Sequence, residues 1–132
     1  MPLWPIAGVA FLVAGLLEVM FLALSFLGVI VGGAMTVGTV LGELRHEEAF
    51  VGPVVLIFYV VWFVATLVAG PIHLVAGVSM IVGKRSRTLL WAAVVASLFP
   101  VATVYCAPTS IVAGVLGLIA LLVKPPPVET AP

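Results

Sequence analysis

Charge is what this chain has least of. Asp, Glu, Lys and Arg make up 8% of the 132 residues, against 64% apolar residues and a mean hydropathy of +1.43. Soluble domains carry roughly 25% charged residues and need them to cover their surface. A chain so short of polar groups cannot build a water-facing shell, and lipid is the solvent that fits it. The five basic residues are balanced by five acidic ones. No basic face is therefore available to neutralise phosphates, which argues against nucleic acid as a partner. A single cysteine, Cys106, excludes an internal disulfide or a cysteine-rich metal site. Also missing are a glycine-rich phosphate loop, an HExxH pair and a nucleophile–base set. Neither an enzymatic role nor a cofactor is expected. The first residues, Met1-Pro2-Leu3-Trp4-Pro5, lack the positive start of a secretory signal, and the apolar run after them is far longer than a signal core, so a retained first span is expected.

What the chain has is long apolar runs. The first, Ile6 to Val40, contains Glu18 as its only charge and as one helix is about 52 Å long, against a hydrocarbon core of about 30 Å. It is read as a span over 6–28 with an extension to 42, as a protruding helix rather than a broken segment. The second run, 54–82, opens after Gly52-Pro53, where proline suits a first helical turn, and contains Gly70-Pro71, where a kink is expected. The third and fourth runs, 89–105 and 108–123, are shorter. Trp91 and Tyr105 flank the third as interfacial aromatics, and Pro100 is expected to kink it. The Pro-rich tail, 124–132, is expected to be extended. Together these give an all-α integral membrane fold: a four-helix transmembrane bundle whose first two helices outreach the last two.

Orientation follows from Gly83-Lys84-Arg85-Ser86-Arg87, which holds three of the five basic residues. With four spans this turn shares a side with both termini, so Lys84, Arg85, Arg87 and Lys124 fall together and only Arg45 lies opposite. The positive-inside rule then places both termini in the cytoplasm, the acidic Glu43-Leu-Arg-His-Glu-Glu48 stretch outside, and the basic residues at lipid headgroups.

Glu18 lies about 20 Å along its helix from Trp4, and an intramembrane carboxylate is a functional hypothesis by default. Glu18, Ser25, Gly32 and Thr39 recur every seven residues, with Gly28 and Thr36 on the same side. The second run carries a matching stripe of Thr66, Gly70, His73, Gly77, Met80 and Lys84. Such small-residue faces let membrane helices approach closely. His73 lies about 16 Å from Lys84, a depth similar to that of Glu18. The two stripes are therefore predicted to pack, with Glu18 meeting His73 directly or through a water. Such a pair either fixes helix register or relays protons and couples ions. Haem ligation by His73 would need a second axial ligand, and only His46, on the outer loop, remains. The Glu43-x-x-His46 spacing occurs once, beside Arg45, and reads as a solvated loop rather than half of a di-iron site. Cys106 has no neighbouring base to activate it and reads as a small interfacial residue.

The second half, from Leu74-Val-Ala-Gly-Val-Ser-Met-Ile-Val-Gly-Lys-Arg-Ser-Arg to Ala107-Pro-Thr-Ser-Ile-Val-Ala-Gly-Val-Leu-Gly-Leu-Ile-Ala-Leu, resembles small four-span bacterial membrane proteins of uncharacterised function. Those have an apolar helix ending in a short basic turn, a third helix, and a proline-led fourth. The fourth run here ends in Leu121-Leu-Val-Lys-Pro-Pro-Pro, where such families carry aromatics. The resemblance implies four helices in a bacterial inner membrane and no particular activity. The functional expectation is a non-enzymatic protein acting by helix packing, on itself or on other membrane subunits. A small proton or cation channel or transporter built on Glu18 and His73 is the competing one.

Overall fold

The computed structural model describes residues 3–42, 49–103 and 107–123. Among them the chain is helical, in the order α1 (Leu3–Val40), α2 (Val51–Ile81), α3 (Arg87–Ala96), α4 (Leu98–Ala102) and α5 (Ala107–Leu122), with no strand. The Glu43–Glu48 stretch, Tyr105, Cys106 and Lys124 with the tail lie outside the described residues.

Helix α1 runs unbroken for 38 residues, or about 57 Å, and α2 for 31, or about 46 Å. Both are long and apolar enough to cross a membrane. The 28–40 extension continues α1 rather than breaking from it, and α2 continues through Pro71 as one element. The third run instead divides at Ser97, three residues before Pro100. The proline ring crowds the carbonyl of Ala96 and supplies no N–H to it, so the regular ladder stops there. Together α3 and α4 form the apolar stretch Arg87–Ala102, which like α5 is about 24 Å long.

The turn after α2 is set by Gly83 at φ +88°, a backbone conformation that side chains disfavour. Lys84 N–H donates to Ser79 O at 2.8 Å and Gly83 N–H to Met80 O at 3.2 Å, the paired bonds of a Schellman motif. Two residues further on, the Ser86 hydroxyl accepts from Leu89 N–H at 3.3 Å and caps α3. The basic turn is thus closed at both ends by its own glycine and serine.

Helices α1 and α2 form an antiparallel pair in close contact along their length, with α3–α4 and α5 packed against one part of it. Ala7, Phe11, Ala14, Ala76, Met80, Leu90, Ala93, Ala113, Ala120 and Leu121 form the buried core there. Trp62 marks where this part ends: its indole N–H donates to Thr103 O, just past α4, at 3.0 Å. Beyond it, among the described residues, α1 and α2 continue as a hairpin without a third helix packed along them. Trp4, Arg85, Arg87 and the end of α5 line one cleft, so the start of α1, the basic turn and the end of α5 share the opposite end of the molecule.

Candidate functional site

In the middle of the four-helix part, Glu18 of α1 and His73 of α2 meet, both with no exposed surface. His73 Nδ1 lies 2.9 Å from Glu18 Oε1 and 2.8 Å from Oε2. Nε2 lies 3.0 Å from Ala93 O and 3.1 Å from Ser97 Oγ. Ser97 Oγ donates to Ala93 O at 3.0 Å, and Ser110 of α5 donates to Glu18 Oε1 at 3.3 Å. The Phe11 ring closes one side of the imidazole, with centroids 5.4 Å apart. Every long element of the four-helix part therefore contributes: a carboxyl from α1, an imidazole from α2, a carbonyl from α3 with the hydroxyl of Ser97 beside it, and a hydroxyl from α5.

His73 Nδ1 faces both carboxyl oxygens of Glu18, so a proton between them bonds the pair. Nε2 faces the Ala93 carbonyl and the Ser97 hydroxyl, and which ring nitrogen carries hydrogen follows from how that hydroxyl turns. The cost of burying the two groups is offset because both partners and their remaining hydrogen-bonding atoms are engaged.

The helices reach this separation because their facing residues are small. A Cβ on Gly77 would lie 2.6 Å from Leu12 N and 2.8 Å from Gly8 O, so any side chain there would push α1 and α2 apart. The same limit recurs far along the hairpin, where a Cβ on Gly32 would lie 2.7 Å from Leu56 N. Gly28 makes room for the Tyr59 ring, whereas Gly70 meets Glu18 Cβ at an ordinary 3.5 Å. Ser25 and Thr66 are buried on the same interface and return their hydroxyls to their own helices, Ser25 to Phe21 O at 2.7 Å and Thr66 to Trp62 O at 2.8 Å. They add polarity to the interface without bonding across it.

Lys84, Arg85 and Arg87 are exposed at the basic turn, and Arg87 donates to Leu121 O at the end of α5 at 3.5 Å. Sequence reasoning missed Ser97, Ser110 and the Ala93 carbonyl. Depth was the signal: Ser97 lies about 15 Å into its run from Arg87, close to the depth of His73 measured from Lys84. Ser110 is harder to anticipate, being beside Thr109 in a helix that offers no charge to align. Among the described residues, no three His, Cys, Asp or Glu side chains gather where a metal ion could be held. No protein-family model, curated protein or solved structure matches the chain.

Proposed function

We propose that this is a multi-pass protein of the bacterial inner membrane that works by helix packing, as a homo-oligomer or as an accessory subunit of a larger membrane complex. The reading supposes four passes with both ends and the basic turn in the cytoplasm. Its polarity is inverted relative to a soluble bundle. Glu18, His73, Ser25, Thr66, Ser97 and Ser110 are buried, whereas Leu16, Leu27, Ile57 and Leu98 are each more than half exposed. Trp4 and the basic turn mark one boundary. Tyr59 and Trp62, packed edge to face at 5.8 Å, suit an interfacial belt at the other, about 32 Å from Gly83 along α2.

The observation that carries the packing role is the hairpin beyond that belt. It extends about 18 Å past Trp62 and keeps apolar residues outward, with Ile30 at 52%, Val37 at 56% and Val54 at 62% exposure. Apolar surface held beyond the hydrocarbon core favours being covered by other helices, because lipid tails no longer cover it. Gentle detergent purification with native mass spectrometry tests this. Oligomers or co-purifying membrane subunits are expected, and a strictly monomeric, partner-free protein counts against it.

A second reading rests on the shared proton. A proton held between Glu18 and His73 across 2.8 Å is suited to transfer, and Ser97 and Ser110 also line a groove of about 270 Å³ between α3–α4 and α5. In this reading the protein passes protons or a small cation. Liposome flux decides it: Glu18→Gln should abolish flux, and absent or unchanged flux removes the reading.

A further inference from the structure

We infer that the basic end of the molecule holds a built site for one phosphate group, supplied by the headgroup of an anionic phospholipid. The site is a cleft of about 450 Å³ lined by Trp4, Arg85, Arg87 and residues 120–123 at the end of α5. Three separate segments converge on it, so it is a property of the fold and not of the basic turn alone. Arg85 has no hydrogen-bond or ion-pair partner among the described residues, and Arg87 spends one donor on the Leu121 carbonyl. Glu18 is the sole acidic side chain among those residues, and it is buried against His73. Two guanidinium groups therefore line the cleft with no carboxylate among the described residues to neutralise them.

A guanidinium presents a planar fork of donors that fits phosphate oxygens, and the indole of Trp4 suits the glycerol and upper acyl region beside them. The remaining walls, Ala120, Leu122 and Val123, are apolar and suit an acyl chain rather than a soluble ligand. Lys84 shares the turn but does not line the cleft. This separates a site from a general surface charge. The inference rests on the membrane reading above and adds to it a position, a chemistry and a stoichiometry.

The test is native mass spectrometry of the full-length protein in detergent, with phosphatidylglycerol, phosphatidylcholine or inorganic phosphate added. One phosphatidylglycerol per chain should be retained in preference to phosphatidylcholine. Retention should fall about tenfold in Arg85→Ala/Arg87→Ala, and change by about twofold or less in Lys84→Ala. Val123→Trp keeps every basic residue and fills the cleft, so it should lose retention as the arginine pair does. Equal retention of phosphatidylcholine, an unaffected Val123→Trp, or a loss in Lys84→Ala as large as in the arginine variant would overturn the site. Displacement of the lipid by millimolar inorganic phosphate would overturn the lipid source. A protein that resists alkaline extraction from membranes yet fails these comparisons loses the cleft and keeps the membrane reading.

Discussion

The two halves of the α1–α2 pair use the same close approach for different ends. From Leu3 to about Ser25, and from Ala65 to Ile81, the pair is flanked by α3–α4 and α5, and its interior holds Phe11, Glu18, Thr66 and His73. Beyond that, among the described residues of α1 and α2, only Gly32 and Gly52 are buried. One half has an interior, and the other is two helices touching through glycine. In the first half, polar groups inside are tied to four helical elements and resist any change of register. In the second, contact distance is set by the absence of side chains, and among the described residues no polar bond fixes how the two helices slide.

The largest test of that contrast is Glu18→Leu, which leaves His73 Nδ1 buried without a partner. It should cost about 3 kcal/mol in unfolding from detergent, whereas Glu18→Leu with His73→Leu should recover most of the loss. A single variant as stable as the parent would mean that the pair does not hold the bundle. Next in size is a matched comparison, Gly77→Ala against Gly32→Ala. Both place a methyl group against backbone of the partner helix. Gly77→Ala should lower stability by about 2 kcal/mol, because separating the helices there also pulls on the cluster. Gly32→Ala should lower it by about 1 kcal/mol, since the hairpin end can splay alone. Equal losses would show that the halves unfold as one unit.

The boundary between the halves is probed by Trp62→Phe, which removes the bond to Thr103 O and should cost about 1 kcal/mol. Faster hydrogen exchange confined to the end of α4 and the adjoining part of α2 is the expected signature, and unchanged exchange there would move the boundary elsewhere. The smallest effect is expected at Gly33, where an added Cβ meets nothing within 4 Å. Gly33→Ala should stabilise the isolated chain by about 0.5 kcal/mol through helix propensity. A clear loss in the native assembly, with none in the monomer, would place a partner helix on that face.

How far the site was legible depended on what each residue can signal alone. Glu18 and His73 stand out because a carboxyl and an imidazole are rare in apolar runs, and counting from Trp4 and Lys84 sets both at one depth. Gly28, Gly32 and Gly77 were visible through their spacing, although spacing does not say which of them meets backbone. The division at Ser97 was only half visible. Pro100 announces a disturbance in its helix, but whether it bends or interrupts the helix depends on what neighbouring groups satisfy the freed carbonyl. Ala93 was invisible: its side chain carries no information, and its carbonyl acts only because α3 lies against His73.

By itself the sequence determined the helical class and the long apolar runs, because hydropathy and run length act locally and additively. It also determined that α1 and α2 would outreach the rest, since 38 and 31 helical residues cannot be shortened without breaking hydrogen bonds. Tertiary structure decided which hydroxyls complete the Glu18–His73 pair, and which segments enclose the cleft around Arg85 and Arg87. Those are matters of helix rotation and pairing, set by contacts between residues far apart in the chain. No local pattern encodes them, and packing at the distance allowed by glycine resolves them.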